Sequence, residues 1–135
     1  MPWTYCQSTG RLYDPDGHHI ATGYAGGNEG KNPEGVNNHS MQDQKGIGPL
    51  PVGLYMFGEV VLQSQLGPFA IPLIPNLNNE MFGRGGFYCH GDTPAMNQSA
   101  SEGCIIMPRI VRNEIYSSPD NQIQVVEVYD AQVSN

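Results

Sequence analysis

The stretch WTYCQSTGRLYDPDG, residues 3–17, decides the fold class of this chain. Its aromatic and aliphatic residues at 3–7 and 11–13 favour strands, and the STG run at 8–10 has the composition of a hairpin turn. The PDG run at 15–17 ends the second strand with another turn. The chain is therefore expected to begin with a strand pair, which predicts a β-rich fold.

Similar signals recur along the rest of the chain. Apolar and aromatic runs bounded by glycine or proline predict further strands at 52–57, 59–62, 69–74, 86–90 and 122–129. Pro72 places its strand at an edge or a bulge, because proline cannot donate to a ladder. Residues 108–116 are the best helix candidate, with proline in the first turn and apolar residues at Val111 and Ile115. Residues 22–48 lack apolar periodicity and are interpreted as a long, functional loop.

These signals predict one mainly β domain over residues 1–135. A chain of this length can bury a single core, and its seventeen Gly and eleven Pro suit short strands joined by many turns. We expect a twisted β-sheet or sandwich that closes toward a barrel, with one or two short helices.

Composition and charge restrict the partners. Six Lys and Arg against thirteen Asp and Glu give a formal net charge of −7, so nucleic acid is not expected as a partner. The start, MPWTYC, has neither the basic nor the apolar region of a signal peptide. No apolar run approaches the roughly 18 residues of a membrane helix. We expect a protein made in the cytoplasm without a signal peptide, and no membrane insertion.

The chain contains three cysteines. Cys6, Cys89 and Cys104 cannot all pair with one another, and they lack the paired spacing of zinc sites. We therefore predict at least one free thiol, no metal site and no cofactor. Cys6 is interpreted as a packed thiol.

The segment HGDTPAMNQSASEGC, from His90 to Cys104, contains the reactive residues. A nucleophilic cysteine needs an imidazole or a helix terminus to favour its thiolate. His90 ends a predicted strand and Cys104 begins the next apolar element, so the two converge if the polar loop between them folds back. Gly103 leaves space for a substrate carbonyl, and the N–H groups of Gly103 and Cys104 are candidate donors to an oxyanion.

Two other interpretations remain open from these residues. Cys104 is also compatible with a small buried residue and His90 with a hydrogen-bonded strand end, which would make the protein a non-catalytic β-rich binding module. NlpC-type peptidases also use a Cys–His pair, but their cysteine precedes the histidine. His90 precedes Cys104 here, and this order argues against that class. The other histidines are interpreted as surface residues: His18, His19 and His39.

Ordered motifs along most of the chain resemble a known family. They are GYAG at 23–26, GVNN at 35–38, GPLPVGLY at 48–55, HGD at 90–92 and SEGC at 101–104. The last two resemble the catalytic motif of the YkuD-like L,D-transpeptidases. The whole set is still more similar to the small type VI secretion L,D-transpeptidase effectors, whose motif is Ser-x-Gly-Cys. Relative to housekeeping L,D-transpeptidases, the histidine-to-cysteine loop is shorter and Glu102 replaces a histidine.

The resemblance implies an L,D-transpeptidase-like fold and a cysteine enzyme that acts on peptidoglycan stem peptides. Such an enzyme would cleave the terminal D-alanine of tetrapeptide stems as an L,D-carboxypeptidase, or exchange it as an L,D-transpeptidase, through a thioester. It also implies an antibacterial toxin that is secreted into the periplasm of a target cell. The partners implied are a cognate immunity protein and a component of the secretion apparatus.

The resemblance also implies roles for individual residues. Cys104 would be the nucleophile and His90 the base and acid. The backbone carbonyl of Gly91 would orient the imidazole, ahead of the side chains of Asp92 or Ser101.

Candidate substrate-binding residues are Tyr24, Asp92 and Arg112. Arg112, together with Arg109, could hold a substrate carboxylate, because arginine binds carboxylates through two donors. The alternative for both arginines is a solvated helix face. Tyr24, with Asn37 and Asn38, could line a groove, and the alternative is ordinary turn chemistry.

Overall fold

The computed structural model describes residues 2–62, 67–92 and 101–129. In this part of the chain nine strands form one sheet, accompanied by one α-helix and three 3-10 turns. The strands are β1 (Trp3–Cys6), β2 (Arg11–Tyr13), β3 (His19–Thr22), β4 (Tyr24–Ala25), β5 (Gly53–Phe57), β6 (Ile71–Pro75), β7 (Tyr88–His90), β8 (Ile105–Ile106) and β9 (Gln122–Val126). The helix is α1 (Arg109–Ser117), and the 3-10 turns are Asn28–Gly30, Pro33–Gly35 and His39–Met41. The predicted mainly β fold with few helices is confirmed.

The sheet is nearly closed into a barrel. Its strand order is β3-β2-β1-β9-β5-β6-β7-β8-β4, so β3 and β4 are the two edges. Only Gly23 separates these two strands in sequence, and the edges therefore meet at this residue. Gly23 donates its N–H to Gly10 O at 2.7 Å, and a Cβ at Gly23 would lie 1.9 Å from Ile106 O. Only glycine fits at this closure.

Strand register sorts the residues near β7 onto two faces. One row crosses four strands and lies in the hydrophobic core: Ala25, Ile105, Cys89 and Ile71. Side chains alternate along a strand, so Tyr24, Ile106 and His90 point to the other face. The predicted separation of Cys89 and His90 is confirmed.

Most of the predicted elements are present. The predicted strands at 3–7, 11–13, 52–57, 69–74, 86–90 and 122–129 correspond to β1, β2, β5, β6, β7 and β9. The predicted strand at 59–62 is wrong, because only the single bridge between Val61 and Ala70 forms there. The interpretation of residues 22–48 as loop missed β4, which is only two residues long.

Pro72 explains the missing strand. It lies in β6, between β5 and β7, so the predicted edge position is wrong. The predicted bulge is present, because three residues, 58–60, face only two, 71–72, between the Phe57–Leu73 pair and the Val61–Ala70 bridge. Gly58 donates its N–H to Pro72 O at 2.9 Å, but proline has no N–H to return the second bond of this antiparallel pair. The β5–β6 ladder therefore ends at Phe57 and Leu73.

Helix α1 follows Pro108, as the sequence predicts. Its residues Val111 and Ile115 are buried in the core, and Ile110 and Tyr116 are exposed. Within the described ranges, no helix is both long enough and apolar enough to cross a bilayer.

Candidate functional site

His90 ends β7, and Cys104 directly precedes the neighbouring strand β8. Strands β7 and β8 are parallel, with His90 opposite Ile106 and Cys89 opposite Ile105. Continuing this register by one residue would place Cys104 opposite Tyr88, at a diagonal Cα separation of roughly 8 Å from His90. The Tyr88 N–H lies 3.4 Å from Cys104 Sγ, and the Cys104 side chain packs against the hydrophobic core. The loop between His90 and Cys104, residues 93–100, lies outside the described residues.

The His90 imidazole is buried and only half satisfied. Nδ1 lies 3.0 Å from Gly91 O, and because a carbonyl can only accept, Nδ1 carries the proton. Nε2 is buried and has no hydrogen-bond partner among the described residues. Burial lowers the pKa of His90, and the nearby charge of Arg112 lowers it further, whereas the bond to Gly91 O and the charge of Asp92 act in the opposite direction. The neutral ring therefore presents a lone pair at Nε2.

Cys104 is a partly buried thiol. Burial raises its pKa to about 11; the N–H of Tyr88, 3.4 Å from Sγ, lowers the pKa, Glu102 raises it and Arg84 lowers it. No hydrogen bond joins Sγ to the His90 imidazole within the described residues. Cys104 precedes strand β8, and helix α1 begins only at Arg109, so the thiol does not stand at a helix N-terminus. In the free protein the group at Cys104 is thus a neutral thiol.

Ser101 fixes the turn that precedes Cys104. Its buried Oγ accepts from Gly26 N and from Gly103 N, both at 2.9 Å, and donates to Cys104 O at 2.7 Å. These bonds hold the turn and do not involve the His90 ring. The imidazole is therefore oriented by Gly91 and not by Ser101. They also engage the Gly103 N–H, which is therefore unavailable as the expected oxyanion donor. The Gly103 backbone has a φ of +140°, which favours glycine.

A cleft of about 510 Å³ opens beside the Gly91 end of β7. Tyr24 and Asp92 line it, and the Tyr24 hydroxyl donates to Asp92 Oδ1 at 2.6 Å. Arg109 also lines the cleft, with an exposed side chain whose guanidinium lies 4.5 Å from the centroid of the Phe69 ring. The cleft thus combines a carboxylate, a phenol and a cation.

Arg112 lines the cleft from a buried position. The residue is buried, so it does not lie on a solvated helix face. Its guanidinium donates to three backbone carbonyls, those of Phe69, Met107 and Pro68. It therefore lines the cleft mainly as a structural group, and Arg109 is the more accessible cation.

The two asparagines have turn roles. Asn37 has a φ of 55°, and its Oδ1 accepts from Ala25 N. Asn38 caps the 3-10 turn at His39–Met41 by accepting from Ser40 N. Both therefore fit the alternative of ordinary turn chemistry.

One residue beside the site was not singled out from the sequence. Arg84 is buried and donates to Glu102 O, two residues before Cys104. It stands in the glycine-rich run GRGG at 83–86, which gives no periodicity from which burial could be predicted.

One group of metal-ligating side chains occurs among the described residues. Ligand atoms of Asp14, Asp16 and His18 lie within 4.8 Å of one another. Asp14 Oδ1 accepts from Asp16 N and from His18 N. These bonds are typical of an aspartate that opens a turn and account for the cluster.

Comparison with family models, curated proteins and solved structures found no match to this chain.

Proposed function

We propose that this protein is a cysteine enzyme of the L,D-transpeptidase class that acts on peptidoglycan stem peptides. The observation that carries the proposal is the state of His90: Nδ1 is held by Gly91 O, and Nε2 is buried with no partner among the described residues. His90 also lies two residues after Tyr88, whose N–H points at Cys104 Sγ from 3.4 Å. A neutral imidazole anchored in this way is a general base beside a thiol. The ordered sequence motifs supply the substrate class.

Both reacting groups begin neutral. The pKa of Cys104 is about 11 and that of His90 is lowered, so at pH 7 the proton is on sulfur. As Sγ attacks the carbonyl that precedes the terminal D-alanine, the thiol proton moves to Nε2. The C–N bond then breaks, the imidazolium gives its proton to the departing amine, and a thioester remains. Sites of this kind often tighten only when substrate is bound, which fits the lack of a direct bond in the free protein.

Two backbone N–H groups lie near the sulfur. Tyr88 N points at Sγ from 3.4 Å, and the Cys104 N–H also lowers the pKa of its own thiol. Since Gly103 N is engaged by Ser101, we assign oxyanion stabilisation to Tyr88 and Cys104.

The cleft is assigned to the stem peptide. The exposed Arg109 would bind the carboxylate of the terminal D-alanine, and Asp92, with Tyr24, would bind an amine of the preceding diamino acid. Water would resolve the thioester to a tripeptide, and a D-amino acid would give an exchanged tetrapeptide. The same resemblance supports a role as an antibacterial toxin, delivered to the periplasm by a secretion apparatus and neutralised by an immunity protein.

The proposal is tested by product analysis on purified disaccharide-tetrapeptides, with and without an added D-amino acid. Wild type should give tripeptide and free D-alanine, plus an exchanged tetrapeptide when the D-amino acid is present. Cys104→Ala and His90→Ala should lose about 10³-fold or more of this activity. Cys89→Ala is the matched control, because Cys89 is a buried cysteine on the face opposite His90. Unchanged tetrapeptide with folded wild type would reject the enzyme assignment.

A non-catalytic binding module is the second candidate. The high pKa of Cys104 and the missing bond to His90 favour it. This candidate predicts that wild type and Cys104→Ala bind intact peptidoglycan equally, and that neither changes the stem peptides.

A further inference from the structure

We propose that Arg84 is the positioning residue of Cys104, holding the turn that presents the thiol and supplying the positive charge that favours its ionised form. The inference deepens the proposed function and rests on it for the role of Cys104 as nucleophile. Its test uses the chemistry of the thiol alone, so it is decided even if the peptidoglycan assignment fails.

Arg84 ties two segments together beneath Cys104. Nη1 donates to Gln42 O and to Pro49 O, and Nη2 donates to Gly48 O and to Glu102 O at 3.0 and 3.1 Å. Glu102 immediately precedes the Gly103–Cys104 pair. A second bond, from Leu50 N to Gly103 O at 3.0 Å, runs between the same two segments. The guanidinium therefore connects the 42–50 segment to the turn at residues 101–103, which precedes Cys104.

Arg84 and Phe87 fill the space around Gly103. A Cβ built at Gly103 would lie 2.6 Å from Arg84 Nη2 and 2.8 Å from the Phe87 ring. The guanidinium carbon itself lies 5.2 Å from the centroid of that ring. Phe87 is followed by Tyr88, whose N–H points at Sγ. Arg84 thus packs against both backbone segments that flank the thiol.

The charge of Arg84 is buried and has no acidic partner. Its side chain is 7% exposed, and no carboxylate lies within ion-pair distance of it among the described residues. Carbonyl oxygens satisfy its N–H groups but leave a net positive charge. In a poorly solvated setting such a charge favours an anion nearby, and ionised Cys104 is an anion within its field.

The other titratable groups around Arg84 and Cys104 do not supply this positive charge. Glu102 raises the pKa of Cys104, and Asp43 acts on Arg84. Tyr55 and Cys89 have pKa values raised by burial and are neutral near pH 7. Burial lowers the pKa of His90, which is also neutral there. Among these groups, Arg84 is the cation.

The test is the rate at which iodoacetamide alkylates Cys104, read from the Cys104 peptide by mass spectrometry between about pH 6 and about pH 10. Arg84→Met removes the charge that lowers the Cys104 pKa and the bond to Glu102 O, and at a given pH it should slow alkylation by about threefold or more, a tenfold change corresponding to one pKa unit. Arg84→Lys keeps the charge but cannot reproduce the four carbonyl bonds, so its rate should lie between those of wild type and Arg84→Met.

Arg11→Met is the control for loss of a positive charge, since Arg11 is exposed and is not among the groups that act on the pKa of Cys104. It should leave the Cys104 profile unchanged. An unchanged or faster rate in folded Arg84→Met, or an equal loss in Arg11→Met, would overturn the proposal. If Arg84→Met does not fold, Arg84→Gln decides, because glutamine is also uncharged but can still donate to a backbone carbonyl: a slower rate in the folded glutamine variant supports the role of the charge, and an unchanged rate rejects it.

Discussion

Burial of His90 has opposite consequences for its two ring nitrogens. Nδ1 is satisfied by Gly91 O, whereas Nε2 is buried with no partner among the described residues. An unsatisfied buried polar atom costs about 1–3 kcal/mol of folding free energy. Such a cost is expected at a position where the atom must be free to accept a proton from a substrate or a nucleophile.

The lowered pKa of His90 predicts the acid limb of activity. In the proposed mechanism His90 is unprotonated when it accepts the thiol proton, and burial lowers its pKa below the ordinary value of about 6.5. Activity should therefore persist as the pH falls through 6.5, and be lost only as the pH passes through the lowered pKa. NMR titration of the imidazole, assigned with His90→Gln, and the pH dependence of kcat/KM both measure it. A measured His90 pKa of about 6.5 or higher would contradict this prediction.

Ser101→Ala should destabilise the turn at residues 101–103 that precedes Cys104. The substitution leaves the buried N–H groups of Gly26 and Gly103 without their acceptor, at a cost of about 2–4 kcal/mol in the free energy of unfolding. Denaturant unfolding measures this directly. Ser40→Ala is the control, because the Ser40 hydroxyl is exposed and, among the described residues, donates to Asn38 Oδ1 alone, and it should change stability by about 0.5 kcal/mol or less. Equal stability of the two variants would show that Ser101 does not hold the turn.

At the scale of the elements, Gly23 joins the two edges of the sheet. Gly23→Ala would place a Cβ 1.9 Å from Ile106 O, so β3 or β4 must move away from β8. We expect a loss of about 3 kcal/mol or more in the free energy of unfolding. The cleft should also change shape, because Gly23 and Tyr24 line it. Thermal or denaturant unfolding provides the measurement.

Gly85→Ala is the control for this substitution. A Cβ at Gly85 meets no atom within 4 Å, so its stability should be unchanged or slightly raised. If Gly23→Ala proves as stable as Gly85→Ala, the proposed closure at Gly23 is incorrect.

The elements that the sequence predicts are those with local signals. Strands β1, β2 and β9 follow from aromatic and β-branched runs between turn residues, and α1 from its proline and its two apolar positions. Strands β4 and β8 have only two residues each, which is too short for any periodicity. The end of the β5–β6 ladder depends on Pro72 meeting Gly58 across the sheet, and no local pattern encodes that pairing.

At the scale of the whole molecule, the fold separates the three free thiols. Cys6 and Cys89 are 1% and 2% exposed, and Cys104 is only partly buried. Native protein treated with iodoacetamide should therefore be modified first at Cys104, and at the other two only after unfolding. Peptide mass spectrometry distinguishes the three sites. Native labelling of Cys89 at the rate of Cys104 would mean that the core face is assigned wrongly.

The parts of the site that depend on strand order could be predicted from the sequence. The parts that depend on hydrogen bonds to carbonyls distant in sequence could not. The parallel pairing of β7 and β8 brings the strand end at His90 and the turn before Cys104 to neighbouring strands. In contrast, the burial of Arg84 and Arg112 depends on carbonyls up to 44 residues away in sequence. The engagement of Gly103 N by Ser101 likewise follows from the folded turn.

In the proposed mechanism Cys104 forms a thioester with a stem peptide. The most direct measurement is the mass of the protein after rapid acid quenching of a reaction with a disaccharide-tetrapeptide, followed by mapping of the modified peptide. The account predicts an added mass equal to the substrate less D-alanine, located on Cys104 and absent from Cys104→Ala. Turnover of the tetrapeptide with no such adduct, or an adduct on Cys6 or Cys89, would contradict it.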